Sequence, residues 1–233
     1  MKLSVLIPVY NEERTVETLI NRVLDAPLPG GITREILITN DCSSDNTAQI
    51  LKKFEGRKEI RIFHHERNQG KTGALATSLR AATGDLVLIQ DADLEYNPKD
   101  YPFLLTPILQ GKASVVYGSR RLGSIEKMHW TNNLANRFSN WTLYFLFHTS
   151  MTDVFTCYKV FRRELLERFP ITSKDFGFDS EITIKLLKAG IPILEVPIHY
   201  IARSRAEGKK MSWPRALHMY WSLIKYAFAP KIG

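Results

Sequence analysis

The chain has 233 residues, 44% of them hydrophobic and 24% charged, which fits one globular domain with a short appendage at most and excludes a disordered chain. Lys and Arg number 32 against 24 Asp and Glu, a surplus of +8 that suits an anionic partner: nucleic acid, a phosphorylated small molecule or an acidic membrane surface. Cys42 and Cys157 are too few for a disulfide framework and fit a reducing compartment. The first apolar run, 3–9, contains Pro8 and meets charge at once, unlike a signal peptide. No stretch reaches the roughly 18 uncharged residues of a spanning helix. The expectation is a cytoplasmic protein, peripheral on the cytoplasmic face of a membrane.

In chain order, residues 3–9 read as a buried strand and 12–25 as an amphipathic helix with Val16, Leu19, Ile20 and Val23 on one face. Residues 35–39 form a second strand. Ser44 is placed to cap the next helix, with Asp45 in its first turn and Ile50, Leu51 and Phe54 on its buried side. A third strand at 60–63 leads to a helix at 70–82. Residues 86–90 form a fourth strand, apolar at nearly every position, as in a strand covered on both faces. A fifth strand is expected after Val116, ending in YGSRR. Residues 130–147 form a helix rich in aromatics, and 153–163 carry DVFTCYKVFRR. FGFDSEITIKLLKAG reads as a helix ending at Gly190, and IPILEVPIHY as an extended segment marked by Pro192 and Pro197. Strands alternating with helices predict an α/β fold: a Rossmann-like, mostly parallel sheet flanked by helices, with its ligand beyond the carboxyl ends of the strands.

The polar clusters fall at those ends: PVYNEE after the first strand, NDCSSD after the second, DADLE after the fourth and YGSRR after the fifth. Asp91 and Asp93 flank one small residue, so both carboxylates reach one divalent cation from a tight turn. Hard oxygen ligands select Mg2+ or Mn2+, and a diphosphate supplies the remaining ligands. The bland reading of the same tripeptide is an acidic turn capping a helix. NQGKTGA is not a phosphate loop, because His65 stands where the first glycine of G-x-x-x-x-G-K-T is required. Gly70 and Gly73 instead allow a tight entry into the helix beside the pocket. Asp41 ends the second strand, where a carboxylate holds a base or ribose, or where with Ser43 and Ser44 it simply makes a turn.

SVLIPVYNEE, ITNDCSSDNT, GKTGALATSLRAATGDLVLIQDADLEYNP and YGSRR resemble, in order, the signatures of family 2 inverting glycosyltransferases with the GT-A fold, over about residues 3–210. Within that family the chain is most similar to the polyprenyl-phosphate glycosyltransferases of the dolichol-phosphate mannose and glucose synthase kind. FGFDSEITIKLLKAG and EVPIHYIARSRAEGKKMSW carry the narrower match. The resemblance implies a nucleotide-sugar site around Pro8, Tyr10, Glu12, Thr39 and Asp41, continued by Gly70, Lys71, Asp91, Ala92 and Asp93. It implies a metal on Asp91, Asp93 and Glu95, the last standing where many relatives have glutamine. Catalysis would rest on Asp93, Arg120, Arg203 and Lys209, the three cations facing phosphates. In two places the chain departs from the pattern: Asn40–Asp41 replaces a pair of aspartates, and TCYKV, with Lys159, replaces the more usual SGFR.

An inverting transfer displaces a nucleoside diphosphate in one step, so divalent metal and basic side chains stabilise the leaving group. A hydroxyl acceptor needs a general base, for which Asp179 and Glu181 are the candidates, unless they merely open a helix. A lipid monophosphate, with a second pKa of about 6, needs none. Arg120, Arg121, Arg203, Arg205, Lys209 and Lys210 favour that acceptor, a polyprenyl phosphate taking a hexose from a donor of the GDP-mannose or UDP-glucose type. Residues 1–210 are then the catalytic domain. Residues 211–233 form an amphipathic helix whose polar stripe is Arg215, His218, Ser222 and Lys225, suited to a membrane interface, a core or a homodimer contact. The rival readings are a glycosyltransferase acting on a glycan, protein or small-molecule hydroxyl and, remotely, a nucleic-acid-binding domain. The second lacks any recognition signature, and acidic strand ends repel phosphate unless a metal intervenes.

Overall fold

The computed structural model describes residues 1–126, 130–173, 177–203 and 213–230. One sheet of seven strands runs in the order β3-β2-β1-β4-β6-β5-β7. Its strands are β1 (Lys2–Val9), β2 (Thr33–Asn40), β3 (Ile60–His64), β4 (Leu86–Ile89), β5 (Val115–Glu126), β6 (Lys159–Arg162) and β7 (Leu194–Ile201). β3, β2, β1 and β4 are mutually parallel, while β6 enters antiparallel between β4 and β5. β5 and β7 pair in parallel, so the sheet is mostly parallel, as the alternation of strands and helices predicts.

Strand alternation divides the core between two faces. Leu3, Val5, Ile7, Ile36, Ile38, Leu86 and Leu88 pack against α1 (Val16–Leu24), α2 (Thr47–Leu51) and α4 (Tyr101–Leu109). Leu6, Leu37, Val87, Ile89, Tyr117 and Phe161 face α3 (Gly70–Ala81), α6 (Arg163–Arg168) and α7 (Phe178–Lys188). α5 (Trp130–Phe147) and α8 (Trp213–Phe228) join that second layer through Leu143 and Leu223. β1, β2 and β4 are buried at consecutive positions because helices cover both faces, whereas β3 and β7 at the sheet's edges are only partly buried.

Three expectations are corrected. Ser44 does not cap α2: its N–H donates to Asn11 Oδ1 at 2.8 Å, and Asp45 Oδ1 accepts from the Thr47 N–H at 3.0 Å. The chain first turns through Cys42 at φ 60°, which delays the helix to Thr47. YGSRR does not end its strand, because β7 continues to pair with β5 beyond a register shift between Ser119 and Ser124. Ser222 does not lie on an outward polar stripe of α8; it is buried, while Leu217 and Trp221 are exposed. The packing of Met219 and Leu223 decides which side of α8 faces inward. Arg205, Lys209 and Lys210 lie outside the described residues.

Candidate active site

β2, β1 and β4 lie side by side and parallel, so the loops beyond their carboxyl ends are neighbours. Each of these loops bends through a non-glycine residue in the left-handed region: Asn11 (φ 51°), Cys42 (φ 60°) and Leu94 (φ 63°). Such a conformation costs roughly 1–2 kcal/mol for an ordinary residue, so the surrounding bonds must hold it. They do so by stitching the first two loops together. Asn11 N–H donates to Ser43 Oγ (2.9 Å), Glu12 N–H to Thr47 Oγ1 (3.0 Å) and Asn46 N–H to Glu13 Oε2 (3.0 Å).

The β4 loop carries the acidic cluster. Glu12, Asp91, Asp93 and Glu95 converge, and two cations meet them. Lys71, in the first turn of α3, places Nζ 2.6 Å from Asp91 Oδ1 and donates to Cys157 Sγ at 3.1 Å. Arg203, just past β7, reaches Glu12 Oε2 at 3.1 Å and Asp93 Oδ2 at 3.2 Å, and its backbone N–H donates to Glu95 Oε1 at 2.8 Å. Glu95 also accepts from the Tyr200 hydroxyl, so both its oxygens are engaged by protein groups. Two cations against four carboxylates leave excess negative charge.

That excess sits on Asp93. Burial, then repulsion by Asp91 and Glu95, pushes its carboxyl up to about 7 despite Arg203. Asp91 goes the other way: burial opposes its ionised form, but Lys71, the Cys157 thiol and Lys159 together outweigh burial and hold the carboxyl below its ordinary range. Lys71 is held well above the usual lysine value, Asp91 and Cys157 overcoming the cost of burial. A cluster of oxygen donors with surplus negative charge fits a hard divalent cation. Among the described residues no group of three or more His, Cys, Asp and Glu is arranged to hold a metal by itself. Asp91 and Asp93 are the carboxylates that could serve such an ion, with further ligands supplied by what binds there, while both oxygens of Glu95 are taken by Tyr200 and Arg203.

In the loop beyond β2, Asp41 is almost wholly buried. Its Oδ1 accepts from His65 Nδ1 at 2.7 Å and from the Gln69 N–H at 2.8 Å, and its carbonyl accepts from Asn68 Nδ2 at 3.2 Å. Thr39 is buried with its hydroxyl 2.6 Å from Ser78 Oγ, tying β2 to α3. Pro8, next to the last residue of β1, is half-buried, Tyr10 is 40% exposed, and Ala92 is buried between the two aspartates. Gly70 has φ +76°, a conformation glycine adopts without strain, and it turns the chain into α3.

The remaining candidates are committed elsewhere. Arg120 grips Asp153 in a fork, Nε to Oδ2 and NH2 to Oδ1, each at 2.7 Å, and its guanidinium stacks 5.0 Å from the Tyr200 ring. Asp179 pairs with Lys159, whose side chain is fully buried and also lies over the Tyr117 ring. Glu181 accepts from Thr172, Ser173 and Lys185, which together outweigh burial and hold its carboxyl below the ordinary range. The sequence reading had no role for Cys157 beside Lys71, and nothing in the sequence signals that contact. For His65 a signal existed: HERNQGK directly follows a strand at the edge where the ligand is expected.

The whole arrangement is GT-A-like, a mostly parallel sheet with flanking helices and acidic residues beyond the fourth strand. It matches solved structures of glucosyl-3-phosphoglycerate synthase from Mycobacterium tuberculosis. The complex with Mn2+, uridine diphosphate and phosphoglyceric acid has a TM-score of 0.76 at 20% identity, over 100% of this chain and 80% of that one. The complex with Mg2+ and uridine diphosphate has a TM-score of 0.74 at 22% identity, over 100% and 81%. The chain belongs to glycosyl transferase family 2, whose model matches residues 4–169. It is 26% identical over 213 residues to a dolichol-phosphate mannosyltransferase of Pyrococcus furiosus, over 90% of this chain and 59% of that protein's length.

Proposed function

We propose that this chain transfers a hexose, with inversion, from a nucleotide sugar of the GDP-mannose or UDP-glucose type to a polyprenyl phosphate at a membrane surface. The observation that carries the reading is the division of charge. Carboxylates and cations crowd the end of β4, while both candidate bases are held in ion pairs, Asp179 with Lys159 and Glu181 with Lys185. A site poor in free bases suits an acceptor that is already ionised. The similarity to a dolichol-phosphate mannosyltransferase supports the same acceptor.

Asp91 and Asp93 would hold Mg2+ or Mn2+, which supplies positive charge to the leaving diphosphate. Solved structures of similar fold contain those ions together with uridine diphosphate. Lys71 and Arg203 would shift part of their pairing from Asp91 and Asp93 to phosphate oxygens, keeping charge-assisted bonds throughout. Asp41, Pro8 and Tyr10 would hold the nucleoside, and Glu12 would anchor Arg203. Arg120 is neutralised by Asp153, so the acceptor's charge falls chiefly to Arg203 and Lys209. Glu95 would order the loop through Tyr200 and Arg203 more than it would bind metal. Exposed aromatic side chains on α5 and α8 would rest on the membrane.

The test is a panel of GDP-mannose, UDP-glucose and related donors, each offered with a polyprenyl phosphate and, separately, with hydroxyl acceptors including phosphoglyceric acid. Lipid-linked product from one donor is the expected result. Transfer to a hydroxyl alone would replace this reading with the glycan, protein or small-molecule acceptor.

A further inference from the structure

We propose that His65 is a positioning residue: it fixes Asp41 as a hydrogen-bond acceptor and thereby sets which nucleobases the donor site takes. The inference rests on the donor site described under Proposed function. The His65 side chain is 6% exposed and touches both the end of β2 and the flank of α3. Arg80 donates to Thr77 Oγ1 at 3.1 Å, and Thr77 Oγ1 lies 2.8 Å from His65 Nε2. A carboxylate oxygen only accepts, so the ring hydrogen facing Asp41 Oδ1 is assigned to Nδ1, which leaves Nε2 to accept from the Thr77 hydroxyl while that hydroxyl accepts from Arg80. Every donor in the series points toward the carboxylate.

Asp41 Oδ1 then receives two hydrogens, from His65 and from the Gln69 N–H, which fills its acceptor capacity along two directions. No hydrogen bond from a described residue falls on Oδ2. The carboxylate is therefore held in one rotation with a single oxygen left to accept. Uracil and guanine present a ring N–H to such an acceptor. Adenine and cytosine present a lone pair at the corresponding ring nitrogen, which an ionised carboxylate repels. His65 acts on the base only through Asp41.

The experiment titrates UDP, GDP, ADP and CDP, each with Mn2+, into the full chain by calorimetry, beside a thermal melt. His65→Asn keeps a side-chain N–H near the Nδ1 position; His65→Gln moves it toward the Nε2 position and loses Asp41. The wild type is expected to prefer UDP or GDP. His65→Gln should weaken the preferred nucleotide about 10-fold and leave ADP and CDP unchanged, whereas His65→Asn should keep the preference. In an Asp41→Asn background, His65→Gln should add nothing. Equal affinities of the Gln and Asn variants, or an equal loss for all four nucleotides, overturns the proposal and leaves His65 a packing residue. If His65→Gln does not fold, Thr77→Val is measured in its place, and an unchanged base preference there overturns it too. A wild type that binds none of the four nucleotides removes the donor site itself.

Discussion

Arg203 draws Glu12 from the β1 loop and Asp93 and Glu95 from the β4 loop to a single side chain, across more than a hundred positions of sequence. Removing it leaves those carboxylates to repel one another and, on the proposed reading, strips a cation from the phosphate path. Arg203→Ala is expected to cut transfer by about 10- to 150-fold, the worth of one charge-assisted contact. Asp179→Asn should behave differently, since Asp179 neutralises the buried Lys159. Its expected signature is a loss of roughly 3 kcal/mol in stability by denaturant titration, with the turnover of the remaining folded protein close to wild type. If Asp179→Asn instead abolishes turnover at unchanged stability, Asp179 is a base and the acceptor is a hydroxyl. Asp91→Asn and Asp93→Asn should each lower transfer by more than about 100-fold, with a chelator doing the same to the wild type. Asp93→Asn should not lower the melting temperature of the metal-free protein, because it relieves repulsion by Asp91 and Glu95. Wild-type transfer that survives chelation would remove the metal from the mechanism. The aspartates were legible in the sequence because an apolar strand ends on them. Lys71 and Arg203 were named beside them, but their pairing with Asp91 and Asp93 was not legible, because they reach the aspartates through the fold rather than along the chain.

At the scale of elements, the amino end of the sheet is held by one buried carboxylate far from the chemistry. Glu35 on β2 accepts from Ser4 Oγ at 2.6 Å, the Thr83 N–H at 2.7 Å and the Gly84 N–H at 3.1 Å, and it pairs with Lys2 and Arg61. Burial raises its pKa, but the bonds from Ser4, Lys2 and Thr83 prevail and bring it down to about 2. A folded-state value below the unfolded one gives stability that is complete above the unfolded value of about 4.3 and lost as pH falls toward 2. Denaturant titrations across that window should show wild type losing stability faster than Glu35→Gln. Parallel curves would mean that Glu35 contributes nothing through its charge. The parallel half of the sheet was readable because β1, β2 and β4 carry consecutive buried apolar residues with helical periods between them. β6 was not, since four residues inside DVFTCYKVFRR carry no period, and only pairing with β4 and β5 makes them a strand. α4 was also missed: Pro102 and Pro107 argue against a helix, yet Asn97 starts the chain turning by accepting from the Lys99 N–H, and burial of Leu104, Leu105 and Ile108 completes it.

For the molecule as a whole, the question is what covers the outer side of α5 and α8. The two helices meet where Phe138 stacks 5.1 Å from Tyr220, and Thr142 Oγ1 lies 3.3 Å from the Tyr220 hydroxyl. Beyond that seam Trp141, Tyr144 and Phe145 on α5 and Leu217, Trp221 and Phe228 on α8 are each more than half exposed, from 51% to 74%. Trp and Tyr at an interface bury an apolar body and keep a polar edge wet, and the chain's surplus of +8 adds attraction to anionic lipid. No helix among the described residues is long and apolar enough to cross a membrane. The wild type should float with vesicles containing anionic lipid, more weakly at high salt because charge is screened while aromatic burial is not. Trp141→Glu and Trp221→Glu should each weaken flotation by roughly 5- to 30-fold, since the insertion of one large apolar side chain is worth about 1–2 kcal/mol. Both sites face outward, so the melting temperature should stay within a few degrees of wild type. Undiminished flotation of the folded double variant would move the membrane contact to another face. Sedimentation of the wild type as a dimer that either substitution breaks would instead make this surface the seat of a second copy.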